Sequence, residues 1–274
     1  MKPCINESTT METDFETDVK AYSKAGFKAI ELWLNKVYEF EKKHGVNAAK
    51  RLLEENNLDA VSACVVFDGL PNLMLSKNKE RIKAIADLER HFSTCRELGV
   101  PLFILPTDFP ETVEYHTYDV AAENIREISE IARNYKLSVA LEFIRGAKFL
   151  GSLSTTTFLI DKVDRSNVGI LFDFFHFQTG ISKLADINQL RKDTLFFVHI
   201  SDAKDLPREI VTDSDRVLMG EGNFPIRQIL AELREIGYDG YISLELFSEQ
   251  LWKQNPYDVS KRAYQNLTEV IKSI

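Results

Sequence analysis

Cysteine is scarce in this chain of 274 residues. Cys4, Cys64 and Cys95 form no C-x-x-C pair, and three thiols cannot all pair within one chain. Neither a disulfide framework nor a cysteine-based metal site therefore organises the fold, and the thiols read as buried side chains in a reducing compartment. Long apolar runs are missing too: no stretch of eighteen apolar residues occurs, so no membrane partner is expected. The opening Met1-Lys2-Pro3-Cys4-Ile5-Asn6 passes directly into a strand pattern without a signal-peptide stretch, from which a cytoplasmic location is expected. Positive charge is in deficit, with 34 Lys and Arg against 42 Asp and Glu and a net charge of −8. Phosphate contacts need a cationic face, so nucleic acid is not an expected partner. No G-x-G-x-x-G follows the first strand pattern, and no nucleotide cofactor is expected. No Pro/Gly/Ser-rich linker, compositional break or repeat divides the chain, which predicts one domain over residues 1–274.

What is present is an alternation. Short β-branched or aromatic runs alternate with longer segments of helical period, the pattern of parallel βαβ units. Strands are expected near Pro3–Ile5, Ala29–Trp33, Ala60–Val66, Leu102–Leu105, Ser138–Glu142, Val168–Asp173, Leu195–His199 and Tyr241–Glu245. That number closes an α/β barrel, a (β/α)8 TIM barrel. Between the third and fourth strands Ile82, Ile85, Leu88, Phe92, Cys95 and Leu98 recur at three- and four-residue steps and Gly99 supplies a stop. Val120, Ile125, Ile128 and Ile131 repeat the pattern, as do Ile226, Ile229, Leu230 and Leu233 before Gly237. The longest connection rich in turn residues, Ser201–Pro225, follows the seventh strand and is a candidate for substrate contact.

Four consecutive strands end in a metal-type side chain: Glu142, Asp173, His199 and Glu245. Side chains alternate along a strand, so each can share the barrel interior with the residue two before it, at the C-terminal end where barrel catalysis sits. A single buried acid or histidine at a strand end is ordinary packing; four at one height on neighbouring strands are a site. Three carboxylates gathered without a cation would repel one another, and a divalent ion removes the conflict. One imidazole with three carboxylates suits Mn²⁺, Mg²⁺ or Co²⁺ and does not exclude Zn²⁺.

The same residues carry a family resemblance. Cys4-Ile5-Asn6-Glu7-Ser8-Thr9-Thr10, Ala140-Leu141-Glu142-Phe143, Leu171-Phe172-Asp173-Phe174-Phe175-His176-Phe177, Val198-His199-Ile200-Ser201-Asp202, Thr212-Asp213-Ser214-Asp215-Arg216-Val217 with Gly220-Glu221-Gly222, and Ser243-Leu244-Glu245-Leu246-Phe247 resemble the xylose isomerase-like superfamily of sugar phosphate isomerases and epimerases. The first and fifth stretches point more narrowly to inosose isomerases. The resemblance implies that Glu142, Asp173, His199 and Glu245 bind one metal ion, that Glu142 and Glu245 double as the proton-transferring pair, and that His176 and Arg216 contact substrate oxygens. It implies a small polyol-ketone substrate such as a keto-inositol, and leaves room for a homo-oligomer. His176 packed among phenylalanines and Arg216 as an exposed loop cation are the bland alternatives.

The chemistry suits the arrangement without the family. A proton beside a carbonyl becomes removable when a metal polarises the oxygen and stabilises the enediolate, while one carboxylate takes the proton and another returns one. The same intermediate can instead expel a β-leaving group, which makes a keto-sugar dehydratase or lyase the alternative. Apurinic endonucleases share the barrel but assemble three zinc ions and need more histidines; their further D-x-H reads Asp215-Arg216-Val217 here, and nuclease activity is disfavoured. A non-catalytic module would be expected to have lost a ligand. His44, His91 and His116 fall in helical stretches and take no role, and Gly220-Glu221-Gly222 is too short to claim phosphate binding. Trp33, Phe67, Phe247 and Trp252 follow strands and either line the mouth or pack loops.

Overall fold

The computed structural model describes residues 1–45, 47–65 and 73–274. Its parallel strands are β1 (Lys2–Asn6), β2 (Ala29–Trp33), β3 (Asp59–Cys64), β4 (Leu102–Pro106), β5 (Ser138–Glu142), β6 (Val168–Asp173), β7 (Leu195–Ile200) and β10 (Tyr241–Leu244). They form a closed barrel in the order β1-β10-β7-β6-β5-β4-β3-β2, the (β/α)8 architecture that the alternation predicts. A short antiparallel pair, β8 (Asp202–Ala203) with β9 (Arg216–Val217), lies within the long connection after β7. Every residue of β2 and β6 is buried, which is why these strands read as near-continuous apolar runs, interrupted by Glu31 in β2 and closed by Asp173 in β6, rather than as alternating ones. Strand limits differ slightly from expectation. Val66 and Phe67 lie outside the described residues, and β10 stops at Leu244, although the Glu245 N–H still donates to the Ile200 carbonyl at 3.1 Å.

Two compact units are distinguishable, Met1–Val61 with Phe197–Ile274, and Ser62–Phe196. In the first lie α1 (Phe15–Ala25), α2 (Leu34–His44), α3 (Ala48–Glu55), α8 (Ile226–Glu235), α9 (Glu249–Trp252) and α10 (Pro256–Lys272). Asp14 starts α1 by accepting the Thr17 N–H, and Gly26 ends it in the left-handed region at φ 114°. That glycine also permits close packing, since a Cβ there would fall 2.8 Å from the Tyr264 ring of α10. On α8 the buried residues are the expected Ile226, Ile229, Leu230 and Leu233.

The second unit holds α4 (Asn78–Leu98), α5 (Tyr115–Asn134), α6 (Leu153–Val163) and α7 (Phe174–Thr179). Gly99 ends α4 as expected, at φ 79°. The buried stripe of α4 runs Ala84, Leu88, His91, Phe92, Cys95 and Leu98; Ile82, assigned to it by periodicity, is 72% exposed. The reason is Arg81, which takes the inward place in that turn and donates to the carbonyls of Leu73 at 3.0 Å and Asn124 at 3.1 Å. Ile125 and Ile128 of α5 are buried, while Val120 and Ile131 are only half-buried. Phe92 meets Phe103 of β4 edge-on, with ring centres 5.3 Å apart. Gly169 of β6 lies against Phe196, whose ring a Cβ would approach to 2.4 Å. No helix among the described residues is long and apolar enough to cross a membrane.

Candidate metal centre

β5 and β6 each finish on a carboxylate, Glu142 and Asp173 respectively. Glu142 is 9% exposed and Asp173 is fully buried. Asp173 also starts α7, its Oδ1 accepting the His176 N–H at 2.6 Å, so that the capping bond orients the carboxylate. The same short helix carries His176 to a 6% exposed position beside Phe175. No hydrogen-bond partner for its Nδ1 is present among the described residues.

His199 sits in β7 and Glu245 directly follows β10. Pairing of the two strands sets Ser243 beside His199, and Ser243 is in turn beside Cys4 of β1. The Glu245 carboxylate receives several groups. Asn6 Nδ2 donates to Oε1 at 3.3 Å, Arg216 Nη1 lies 3.0 Å from Oε2, and His199 Nδ1 lies 3.3 Å from Oε2. Arg216 is 1% exposed, which rules out the exposed loop cation. Its Nε and Nη2 donate to Asp213 Oδ1, and its guanidinium stacks over Phe247 at 5.5 Å.

The long connection is held by Asp202. Its Oδ2 accepts the N–H groups of Gly220 and Gly222, and its Oδ1 those of Phe224 and Ala203, at 2.9–3.2 Å. Gly222 is needed for this approach, because a Cβ would come 2.0 Å from the Ala203 carbonyl oxygen. The Gly220 and Gly222 amides thus serve an internal carboxylate, and the Glu221 N–H donates to the Leu218 carbonyl. Trp33 packs 5.9 Å from Phe247, and Trp252 Nε1 donates to the Ser8 carbonyl at 2.8 Å, so these aromatics have packing and loop-tying roles.

Sequence reasoning missed Glu31. This residue of β2 is fully buried, and His199 Nε2 lies 2.9 Å from both of its oxygens. Ser243 Oγ donates to Glu31 Oε2 at 2.7 Å. The available signal was an acid in the middle of Ala29-Ile30-Glu31-Leu32-Trp33, an otherwise apolar strand. Burial, and after it the Glu31 charge, holds the Cys4 thiol well above its ordinary range, and burial raises Cys95 as well. Cys4 and Cys95 are the inert buried thiols that their residue type suggests, whereas Cys64 is only half-buried. His91 stacks beside Phe103, and burial lowers its pKa to about 4, consistent with packing.

One ligand-type atom from each of Glu142, Asp173, His199 and Glu245 lies within 4.8 Å of the others. This is a Glu/Asp/His cluster that could bind a metal: a hard, oxygen-rich donor set whose summed negative charge a divalent ion offsets.

A closed (β/α)8 barrel bearing such a cluster defines a class of metal-capable barrel proteins. Residues 19–272 match the model of the xylose isomerase-like TIM barrel family, and the chain belongs to that family. An inosose isomerase of Bacillus velezensis is 28% identical across 99% of this chain and 97% of its own length. The solved IOLI protein with a binding zinc atom superposes with a TM-score of 0.92 at 25% identity, covering 100% of this chain and 99% of that one. A 3-dehydroshikimate dehydratase of Pseudomonas aeruginosa is 24% identical over 84% of this chain, which spans 36% of that relative.

Proposed function

We propose that this protein, acting as one (β/α)8 domain over residues 1–274, is a divalent-metal-dependent isomerase or epimerase of a keto-inositol or ketose. The observation that carries the reading is the convergence of Glu142, Asp173, His199 and Glu245 within 4.8 Å. Full-length similarity to an inosose isomerase and the zinc of the similar IOLI protein support it. In this reading the four residues hold one ion, with Mn²⁺, Mg²⁺, Co²⁺ and Zn²⁺ all suited to the donor set. When bound, the ion supplies Lewis acidity to the substrate carbonyl and offsets the negative charge that develops on its oxygen.

The chain's own residues do the rest. Glu142 and Glu245 form the acid–base pair: one carboxylate takes the proton from the carbon beside the carbonyl, and the other returns a proton to the neighbouring carbon or to the opposite face. Asn6 and Arg216 fix the Glu245 carboxylate from two directions. His176 offers its Nδ1 to a substrate oxygen, and Arg216 acts on the substrate from its place beside Glu245. A neutral polyol ketone is favoured over a phosphorylated sugar, because the amides of Gly220, Gly222 and Phe224 already serve Asp202.

A second reading, a keto-sugar dehydratase on the same site, is favoured by the similarity to 3-dehydroshikimate dehydratase. There the deprotonated substrate loses a β-hydroxyl instead of regaining a proton. Incubating the protein with inososes, ketohexoses and their phosphates in D₂O with Mn²⁺, followed by NMR, separates the readings. Deuterium beside the carbonyl of an inosose together with a new isomer is expected. Loss of water from the substrate selects the dehydratase, exchange on a sugar phosphate alone moves the substrate class, and no exchange on any compound refutes proton transfer.

A further inference from the structure

A carboxylate buried inside a barrel strand is costly unless it is paired. Glu31 is 0% exposed, and no Lys or Arg among the described residues pairs with it. What faces its oxygens is a ring nitrogen, His199 Nε2, at 2.9 Å from each, and the Ser243 hydroxyl at 2.7 Å from Oε2. An ionised carboxylate only accepts hydrogen bonds, so the ring proton in this contact belongs on Nε2. The other ring nitrogen, Nδ1, lies 3.3 Å from Glu245 Oε2 and so faces the carboxylate side of the cluster. Ser243 stands beside His199 in the strand pairing, which lets it hold Glu31 against the ring.

We infer that Glu31 is a positioning residue for the metal: with Ser243 it holds His199 in one orientation with the proton on Nε2, leaving the Nδ1 lone pair for the ion. This inference rests on the reading that the four strand-end residues hold a divalent ion. It also accounts for a fully buried carboxylate with which no Lys or Arg among the described residues pairs. Through the imidazole, Glu31 shares the positive charge of the ion, which makes His199 a stronger donor. Neither composition nor strand pattern assigns Glu31 this part, because it lies 168 residues from His199 in the chain.

The isosteric substitution Glu31→Gln tests it. A glutamine at this position donates as readily as it accepts, so it keeps the volume, removes the charge and no longer dictates which ring nitrogen carries the proton. Zinc affinity is measured by chelator competition for the wild type, Glu31→Gln and Glu31→Asp. The imidazole N–H resonances of the zinc-loaded proteins, labelled with ¹⁵N-histidine, are recorded beside it. The expected result is zinc binding weakened about 10–100-fold in Glu31→Gln. An upfield move of the His199 Nε2–H resonance should accompany it, with no fall in the melting temperature of the metal-free protein. Glu31→Asp, still acceptor-only, should recover part of the affinity. Ser243→Ala leaves Glu31 in place but loosens it, and should weaken zinc severalfold; it carries the test if Glu31→Gln does not fold. Wild-type protein that takes up zinc while Glu31→Gln binds within twofold of it, or shows an unmoved His199 N–H, overturns this inference alone. Wild-type protein that takes up no divalent ion overturns the reading of the site and this inference with it.

Discussion

Replacing Glu7 by Gln should change how stability depends on pH. Glu7 opens the turn Glu7–Thr10 after β1, is 0% exposed, and accepts the Trp33 N–H on Oε2 at 2.6 Å. Close by, Lys36 Nζ pairs with Asp18 Oδ2 at 2.6 Å and donates to the carbonyls of Glu7 and Thr10, while Thr10 Oγ1 donates to Asp18 Oδ1. One lysine thus serves two buried acids. Burial is the larger influence on Glu7 and pushes its carboxyl up from 4.5 to about 7, against the opposing pull of Lys36 and the Trp33 N–H; Asp18 is raised as well. Because the folded protein holds this proton more tightly than the unfolded chain, the stabilisation is complete below about pH 4.5 and is lost as pH rises through about 7. A rise of that size corresponds to about 3 kcal/mol for a fully buried group. Glutamine imitates the protonated acid and keeps an acceptor for the Trp33 N–H. Urea unfolding of both proteins from pH 4.5 to pH 8 should find nearly equal stability at the acid end. The variant should then gain about 3 kcal/mol over wild type by the alkaline end. A difference between the two that stays constant with pH refutes the assignment of a raised carboxyl to Glu7.

Arg216→Ala should cost about 3–5 kcal/mol of stability, because it strips the cation from a buried pair with Glu245. It should also lower kcat/KM at least tenfold on any substrate turned over, with metal content by elemental analysis unchanged; full activity withdraws the substrate role of Arg216. Arg216→Lys should not restore activity, since a lysine cannot reach Asp213 and Glu245 together while stacking on Phe247. In the second unit, Gly169→Ala should destabilise by about 1–3 kcal/mol through overpacking against Phe196, read as a drop in melting temperature. An unchanged melting point would mean that the ring moves aside without cost.

The barrel was legible because its strands are short, mostly buried and separated by helical stretches, so that period and composition change together at each boundary. Glu142, Asp173 and His199 stood out for the same reason, as polar side chains at the end of apolar runs such as Ile170-Leu171-Phe172. Ile82 shows the limit of periodicity, which finds a stripe but not where the stripe leaves the core; Arg81 decided that by reaching the Leu73 and Asn124 carbonyls. Arg216 shows another limit. Its loop is rich in turn residues and leaves an exposed cation open as the bland alternative, yet pairing with Asp213, contact with Glu245 and stacking on Phe247 bury it almost completely.

The chain by itself determined the local quantities: strand and helix periods, helix stops such as Gly99, and which residue types terminate the strands. Those depend on neighbours a few positions away. Tertiary structure alone decided what long-range pairing controls: that Glu31 meets His199 across 168 residues, that Asp202 rather than a ligand takes the amides of Gly220, Gly222 and Phe224, and that Glu7 and Asp18 share one lysine. A charged side chain looks the same in sequence whether water or a partner far along the chain satisfies it. Burial is what separates the two, and burial is a property of the folded chain.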